Sequence, residues 1–234
     1  MREDRPIGPP LPDFIAPPAP PREAFEGRWC AIEPFDPQRH AAAFIDACEG
    51  ADAMWDYMFD GPFKDRASFM AWAERVAKGG DPMFFAIVDK ADGKTKGVAS
   101  YMRITPAHGV LEIGNIAYAP SLRNNRIGTE AMLLFMARAF ALGYRRYEWK
   151  CNALNAPSRR LAMRLGLSFE GEFRRHMVVK GRNRDTAWYA VTEDEWPGLK
   201  SAHDAWLEPG NFDADGRQKL RLSELTRPCL VAVG

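Results

Sequence analysis

The chain has 234 residues, of which 46% are hydrophobic and 27% charged, and this balance is that of an ordinary globular protein. Its formal net charge is +1, although the segment from Arg123 to Arg184 holds 14 Lys and Arg against 4 Asp and Glu, so this segment either faces an anion or forms a solvated surface. Charges interrupt every apolar run and the N-terminus has no apolar signal core, which excludes a membrane span and a secretory signal.

Composition along the chain predicts one domain between two tails. Eight prolines from Pro6 to Pro21 exclude helix and ladder pairing, so residues 1–24 are predicted to form an extended or disordered arm. Residues 25–208 carry the periodic segments, and residues 209–234 are predicted to form an irregular tail. The four cysteines are widely scattered, which indicates neither a disulfide framework nor a zinc site and favours a cytoplasmic location.

Apolar periodicity predicts the elements of the domain in chain order. They are a strand over 28–35, helices over 38–49 and 65–77, strands over 83–89, 96–102 and 110–118, a helix over 128–142, a strand over 147–151, a helix over 155–165, strands over 168–175 and 185–192, and a helix over 193–207. Because strands alternate with helices only in the middle of the chain, we expect an α/β fold with a mixed sheet rather than a doubly wound one.

The most informative stretch runs from Ile113 to Ala131 and leads from a strand through a polar loop into a helix. The first turn of a helix offers unpaired amide groups and a partial positive charge, which together suit a pyrophosphate. Arg123 and Arg126 add formal charge, and Gly128 permits a close approach of the backbone. The alternative is an ordinary polar connection with an exposed basic face.

This loop resembles the coenzyme A pyrophosphate loop of the GCN5-related N-acetyltransferases (GNAT), whose pattern is Gln/Arg-x-x-Gly-x-Gly/Ala. Arg123 and Gly128 match its ends, whereas Arg126 stands where the family commonly has glycine. The segments around Glu112-Ile-Gly and from Asn155 to Gly171 resemble the RimJ/RimL-type branch. The resemblance implies the GNAT fold, a mostly antiparallel sheet with a splayed parallel pair and flanking helices.

The resemblance also implies acetyl-coenzyme A as co-substrate, with no metal. Its pyrophosphate would lie on the loop residues Arg123, Asn124, Asn125, Arg126, Ile127, Gly128 and Thr129. Its pantetheine arm would pair with the backbone of Ala117 and Tyr118 and with the side chain of Asn155. Asparagine is also a preferred N-cap, so a purely structural role for Asn155 is the alternative.

Two residues are candidates for acid–base catalysis. Ser158 matches the serine that protonates the leaving thiolate in the RimJ/RimL-type branch, and Ala162 occupies the position where other members use a tyrosine. Glu112 could accept the proton of the amine through water, since an α-amino group needs only a modest base. A helix cap for Ser158 and a structural ion pair for Glu112 are the alternatives, and His176 is the second candidate base.

The residues of the acceptor site are predicted only from their positions in the sequence. Trp55, Tyr57, Phe63 and His176 lie in segments that resemble the walls of the acceptor site, although aromatic residues at this spacing are commonly core. Nearby acidic residues would suit a cationic acceptor, and they are Asp52, Asp56 and Asp60.

We therefore expect a cytoplasmic N-acetyltransferase, a monomer or homodimer, that moves acetyl directly to the primary amine of a peptide or small molecule through a tetrahedral intermediate. One alternative is an inactive coenzyme A-binding sensor, which the missing tyrosine and Arg126 keep open. Another is a nucleic-acid or ribosome-binding module that uses the basic segment. Because the basic residues are spread without an aromatic stacking motif, we do not expect nucleic acid as a partner, nor a membrane.

Overall fold

A computed structural model of the chain describes residues 7–234. Its strands are β1 (Phe25–Glu26), β2 (Cys30–Pro34), β3 (Met83–Asp89), β4 (Thr95–Thr105), β5 (Val110–Tyr118), β6 (Arg146–Asn152), β7 (Ser168–Val179) and β8 (Arg182–Thr192). They form one sheet in the order β1-β2-β3-β4-β5-β6-β8-β7, in which only β5 and β6 are parallel neighbours. The mixed α/β class with a single parallel pair, expected from the sequence, is confirmed.

In the described part of the chain, six α-helices flank the sheet: α1 (Ala42–Ala47), α2 (Arg66–Ala77), α3 (Arg126–Ala141), α4 (Ala156–Arg164), α5 (Trp196–Leu207) and α6 (Leu222–Thr226). Asparagine side chains cap the two helices that follow β5 and β6, because Asn125 accepts from the amide of Ile127 and Asn155 from the amide of Ser158. Within residues 7–234, no helix is both long and apolar enough to cross a bilayer.

The sheet separates two hydrophobic cores. Alternate residues of β3 show the division, since Phe85 and Ile87 belong to the core under α3, α4 and α5, whereas Phe84 belongs to the core under α1 and α2. The second core is rich in aromatic rings, with Trp55 and Trp72 packed edge to face at 5.8 Å between centroids. Both faces of this half of the sheet are therefore covered by packed apolar side chains.

The other half of the sheet is covered by helices on one face only. On β5 and β6 the residues Leu111 and Trp149 point to the core under α3, whereas their neighbours Glu112 and Lys150 point to the opposite face. That opposite face carries charged side chains instead of a second helical layer, and it forms the floor of the site described below.

Three segments differ from the expected elements. The hairpin of β7 and β8 is longer than predicted, because Lys180 and Gly181 adopt the positive φ angles (51° and 71°) of a tight two-residue turn. The stretch 209–234, expected to be irregular, contains α6, whose Leu222 is fully buried in the core. In the arm, residues 7–24 contain no helix or strand, but the carbonyl of Pro18 accepts from the Tyr144 hydroxyl at 3.1 Å; residues 1–6 lie outside the described residues.

Candidate functional site

The parallel strands β5 and β6 separate towards their carboxyl ends. Their pairing runs from Val110 beside Arg146 to Ile113 beside Trp149 and then stops, although both strands continue. Strand β5 stays with β4 through a bulge, where Asn115 adopts a left-handed φ of 50°. The bulge turns β5 away from β6, so a gap opens between the strands as the sequence predicted.

A cleft occupies this gap and holds a volume of about 570 Å³, including the solvent at its mouth. We call it the central cleft and define it by the residues that line it: 57–59, 102–103, 112–116, 149–152, Asn155, Ser158 and Arg184. It brings together Glu112 and Ser158, the two predicted acid–base residues, with Asn155 and Tyr57. These four residues come from three separate segments of the chain, since Asn155 and Ser158 both lie at the start of α4.

The turn from Tyr118 to Thr129, called here the α3 turn, follows β5 directly. A short 3-10 helix over Pro120–Leu122 precedes Asn124, which adopts a left-handed φ of 55°. The amides of Asn124, Arg126 and Gly128 donate to no oxygen within residues 7–234. Unpaired amides at the start of a 16-residue helix are the donors that an anion needs, so this turn fits the expected pyrophosphate.

Gly128 is required by packing inside the α3 turn. A Cβ atom at this position would lie 2.9 Å from the carbonyl oxygen of Leu122 and 3.0 Å from Cε2 of Tyr118. The Tyr118 hydroxyl also donates to the Gly128 carbonyl at 2.7 Å. The glycine therefore lets the first turn of α3 lie against the end of β5.

The two arginines of the α3 turn have different surroundings. Arg123 is exposed and forms no ion pair within the described part of the chain. The guanidinium of Arg126 lies 4.8 Å from the ring centroid of Trp29 and 5.6 Å from that of Phe212. Arg126 thus makes a cation–π contact with the stretch 209–234, a role that its position in the loop does not suggest.

The remaining loop residues support the turn from within. Asn125 accepts from the Ile127 amide at 3.0 Å and donates through Nδ2 to the Ser121 carbonyl at 3.2 Å. The hydroxyl of Thr129 accepts from Arg164 at 2.9 Å. Before the turn, Ala117 is buried and pairs with Val98.

Ser158 is oriented by two neighbours. Its amide donates to Oδ1 of Asn155 at 3.2 Å, which gives Asn155 the capping role and leaves the Asn155 amide nitrogen in the wall of the cleft. Its hydroxyl oxygen accepts from Nε1 of Trp149 at 3.0 Å. Because the indole supplies the hydrogen of that bond, the serine keeps its own proton to donate elsewhere.

Glu112 is buried in an ionic network. Its Oε2 contacts Nη1 of Arg103 at 2.6 Å and Nζ of Lys150 at 3.0 Å, and Lys150 contacts Glu148 at 2.7 Å. Its Oε1 accepts no hydrogen bond from any of residues 7–234. The sequence left open a structural ion pair or a base for this residue. In the structure Glu112 forms the ion pair through Oε2, and its Oε1 has no hydrogen-bond donor among residues 7–234.

Cys151 also lines the cleft beside Ser158. Burial raises the pKa of this thiol above its usual value, so its reactive thiolate form is disfavoured at neutral pH. Within residues 7–234, no three metal-ligating side chains come together.

The four predicted acceptor residues do not lie together. Tyr57 lines the cleft, and its hydroxyl donates to the Leu154 carbonyl at 3.3 Å. Trp55 is buried in the core under α1 and α2, and Phe63 packs against it there at 5.0 Å. His176 is exposed on β7, where its Nδ1 lies 3.0 Å from Oγ1 of Thr186, and it does not line the cleft.

Three charged residues of the cleft were not singled out from the sequence: Arg103, Lys150 and Arg184. A signal was present for Lys150, because Glu148 and Lys150 alternate with the apolar residues Tyr147, Trp149 and Cys151 on a strand whose other face is buried. With Glu112, these three cations give the cleft a formal charge of +2. Asp60, suggested for a cationic acceptor, instead accepts hydrogen bonds from Trp72 and Arg75.

Comparison with known protein families matches residues 31–168 to the acetyltransferase (GNAT) domain. No curated protein matches the chain. Among solved structures, a GCN5-related N-acetyltransferase from Brucella melitensis is 48% identical, with a TM-score of 0.90, and the match covers 93% of this chain and 100% of that one.

More distant structures share the fold. A GNAT-family acetyltransferase from Chromobacterium violaceum is 36% identical, with a TM-score of 0.77, over 84% of this chain and 100% of that chain. RimL, described as a ribosomal alpha-N-protein acetyltransferase, is 20% identical with a TM-score of 0.63, over 73% of this chain and 94% of that chain. At this identity the likeness to RimL concerns the fold alone.

Proposed function

Since this chain belongs to the family of acetyltransferase (GNAT) domains, we propose that it transfers the acetyl group of acetyl-coenzyme A directly to a primary amine. The acceptor is the amine of a peptide N-terminus, as in the RimJ/RimL-type branch that the motifs resemble, or of a small molecule. The observation that supports the proposal is that two features of the structure lie next to each other. The α3 turn presents three unpaired amides, and the strand before it lines a cleft that holds Glu112 and Ser158.

The α3 turn supplies the donors for the coenzyme. The amides of Asn124, Arg126 and Gly128 bind the pyrophosphate, and the positive end of α3 adds to this attraction. Exposed Arg123 supplies a charge beside it. The pantetheine arm then enters the gap that opens beyond Ile113 and Trp149, with the Asn155 amide in its wall.

The cleft supplies the acid and the base. The amine nitrogen forms a bond to the thioester carbonyl carbon, and the carbon–sulfur bond of the resulting tetrahedral intermediate breaks. The amine proton passes to Oε1 of Glu112, directly or through water, and the thiolate takes the hydroxyl proton of Ser158. Ser158 then takes a proton from solvent and Glu112 releases one to solvent, so both residues return to their starting forms. Cys151 forms no covalent intermediate, because burial disfavours its thiolate.

Thiol release from acetyl-coenzyme A tests the proposal. Purified protein is supplied with a panel of peptides, polyamines, aminoglycosides and amino acids, and coenzyme binding is measured separately by calorimetry. We expect coenzyme A to bind and at least one class of amine to accelerate thiol release. Binding without release for any amine would contradict the enzymatic function, and absence of binding would contradict the role of the α3 turn as well.

A further inference from the structure

Arg184 is a buried cation that has no ion-pair partner among residues 7–234. It lies on β8 beyond the last residue that pairs with β6, is 7% exposed, and lines the central cleft. Its Nε is fully buried, and none of its guanidinium nitrogens forms a hydrogen bond or ion pair within residues 7–234. One face of the guanidinium lies 5.0 Å from the ring centroid of Phe59. The fold therefore holds this group beside an aromatic ring and leaves its donors unpaired by residues 7–234.

The other cations of the cleft are already neutralised. Arg103 and Lys150 share the carboxylate of Glu112, and Lys150 also contacts Glu148. Burial lowers the pKa of the Arg184 guanidinium, which reports the cost of holding its charge away from water. A buried charge is normally paired, because an unpaired one destabilises the fold. An anionic group that enters the cleft would therefore find the donors of Arg184 unpaired by any of residues 7–234.

We propose that Arg184 binds a carboxylate of the acceptor, so that the acceptors of this enzyme are amines that also carry a carboxylate. The inference rests on the proposed function, whose amine it places in the same cleft. A guanidinium fork matches a carboxylate with two parallel hydrogen bonds. A single unpaired cation suits a group with one negative charge. A phosphate dianion would need more donors, and the nearby donors of Arg103 and Lys150 already contact Glu112. The carboxylate belongs to a free amino acid or to an acidic residue of a peptide.

Equilibrium binding separates this site from catalysis. The probes are N-acetyl amino acids, which would be the products of transfer to free amino acids, each paired with its neutral carboxamide. N-acetylated tripeptide amides that begin with aspartate or glutamate, paired with their asparagine and glutamine counterparts, represent the peptide source. Each pair is titrated into the protein saturated with coenzyme A and followed by calorimetry.

Two variants at Arg184 and one matched control complete the experiment. Arg184→Gln removes the charge and the fork, and Arg184→Lys keeps the charge alone. Arg182→Gln removes the same charge from an exposed position two residues earlier on β8. Binding of coenzyme A itself reports that each variant is folded.

We expect at least one acid to bind the wild-type protein more tightly than its neutral partner. That acid should bind about 10- to 100-fold more weakly to Arg184→Gln, the range of a charged hydrogen bond. The affinity of Arg184→Lys for that acid should lie between those of the wild type and Arg184→Gln. The affinity of Arg182→Gln should equal that of the wild type. The probe family that shows this pattern identifies the source of the carboxylate.

The proposal is wrong if no acid is preferred over its neutral partner, or if Arg184→Gln binds the preferred acid as tightly as the wild type does. Failure of the proposed function gives a different result. Arg184-dependent binding of acids would then persist, whereas no amine would release the thiol of acetyl-coenzyme A. The two ideas can therefore fail independently.

Discussion

The α3 turn and the central cleft are adjacent but are built in different ways. The turn is one continuous segment, Tyr118 to Thr129, and its donors are backbone amides. The cleft is assembled from four strands, the loop 57–59 and the start of α4, and its chemistry lies in the side chains of Glu112, Ser158 and Arg184. The turn binds by local geometry, whereas the cleft depends on the packing of the whole sheet.

This difference predicts how each region responds to substitution. In the turn, three backbone amides are proposed to make most of the hydrogen bonds to the pyrophosphate, so each side chain contributes little. A single side-chain substitution there should therefore change coenzyme affinity only modestly. In the cleft, one side chain performs each chemical step, so a single change should alter turnover strongly and leave coenzyme affinity unchanged. The following substitutions test this contrast, beginning with the largest expected effect.

Glu112→Gln should have the largest effect. The substitution preserves the shape of the side chain but removes the oxygen that we propose accepts the amine proton. Loss of a general base lowers kcat by 100-fold or more, on the order of the contribution that such groups make. The affinity for acetyl-coenzyme A, measured by calorimetry, should stay within about twofold of the wild type because Glu112 lies outside the α3 turn.

Glu148→Gln is the matched control for that variant. Glu148 contacts the same Lys150 at 2.7 Å but does not line the cleft. We expect this variant to retain most of its turnover. Equal losses of kcat in the two variants would assign both carboxylates to the ionic network and remove Glu112 from the proton transfer.

The same contrast explains what the sequence could predict. The α3 turn lies where the motif indicated, and the family resemblance that the motifs carry implied the parallel pair and the gap between β5 and β6. The set of side chains that line the cleft could not be predicted from such motifs. Trp55 and Phe63 point to a core, and Arg184 lines the same cleft as Glu112 only because β8 inserts beside β6. Such pairings depend on strand order, which no local spacing encodes.

Ser158→Ala should have an intermediate effect. Removing the hydroxyl removes the proposed proton donor to the thiolate, but thiolates are good leaving groups and water can replace the donor. We expect kcat to fall about 10-fold or somewhat more, at the lower end of acid–base contributions. The loss should be smaller for a coenzyme analogue whose leaving thiol is more acidic, which stopped-flow measurement of thiol release can compare.

Cys151→Ala removes a neighbouring group from the same wall of the cleft. Burial raises the pKa of this thiol, so it is not expected to take part in the reaction. We expect turnover to change by less than about threefold, together with the modest loss of stability typical of removing a small buried side chain. A loss as large as that of Ser158→Ala would indicate that packing of this wall, rather than the serine proton, limits turnover.

The smallest effects separate the two arginines of the α3 turn. Arg123→Gln removes an exposed charge, so the dissociation constant for acetyl-coenzyme A should rise about three- to fivefold at low salt and less at high salt. Arg126→Gln removes the contact with Trp29 and Phe212, so it should lower the free energy of unfolding by about 1 kcal/mol, seen as a Tm about 2–4 °C lower. Its side chain points to those rings, so coenzyme affinity should change less than in Arg123→Gln. The opposite order of affinities would mean that Arg126 leaves the rings to hold the pyrophosphate.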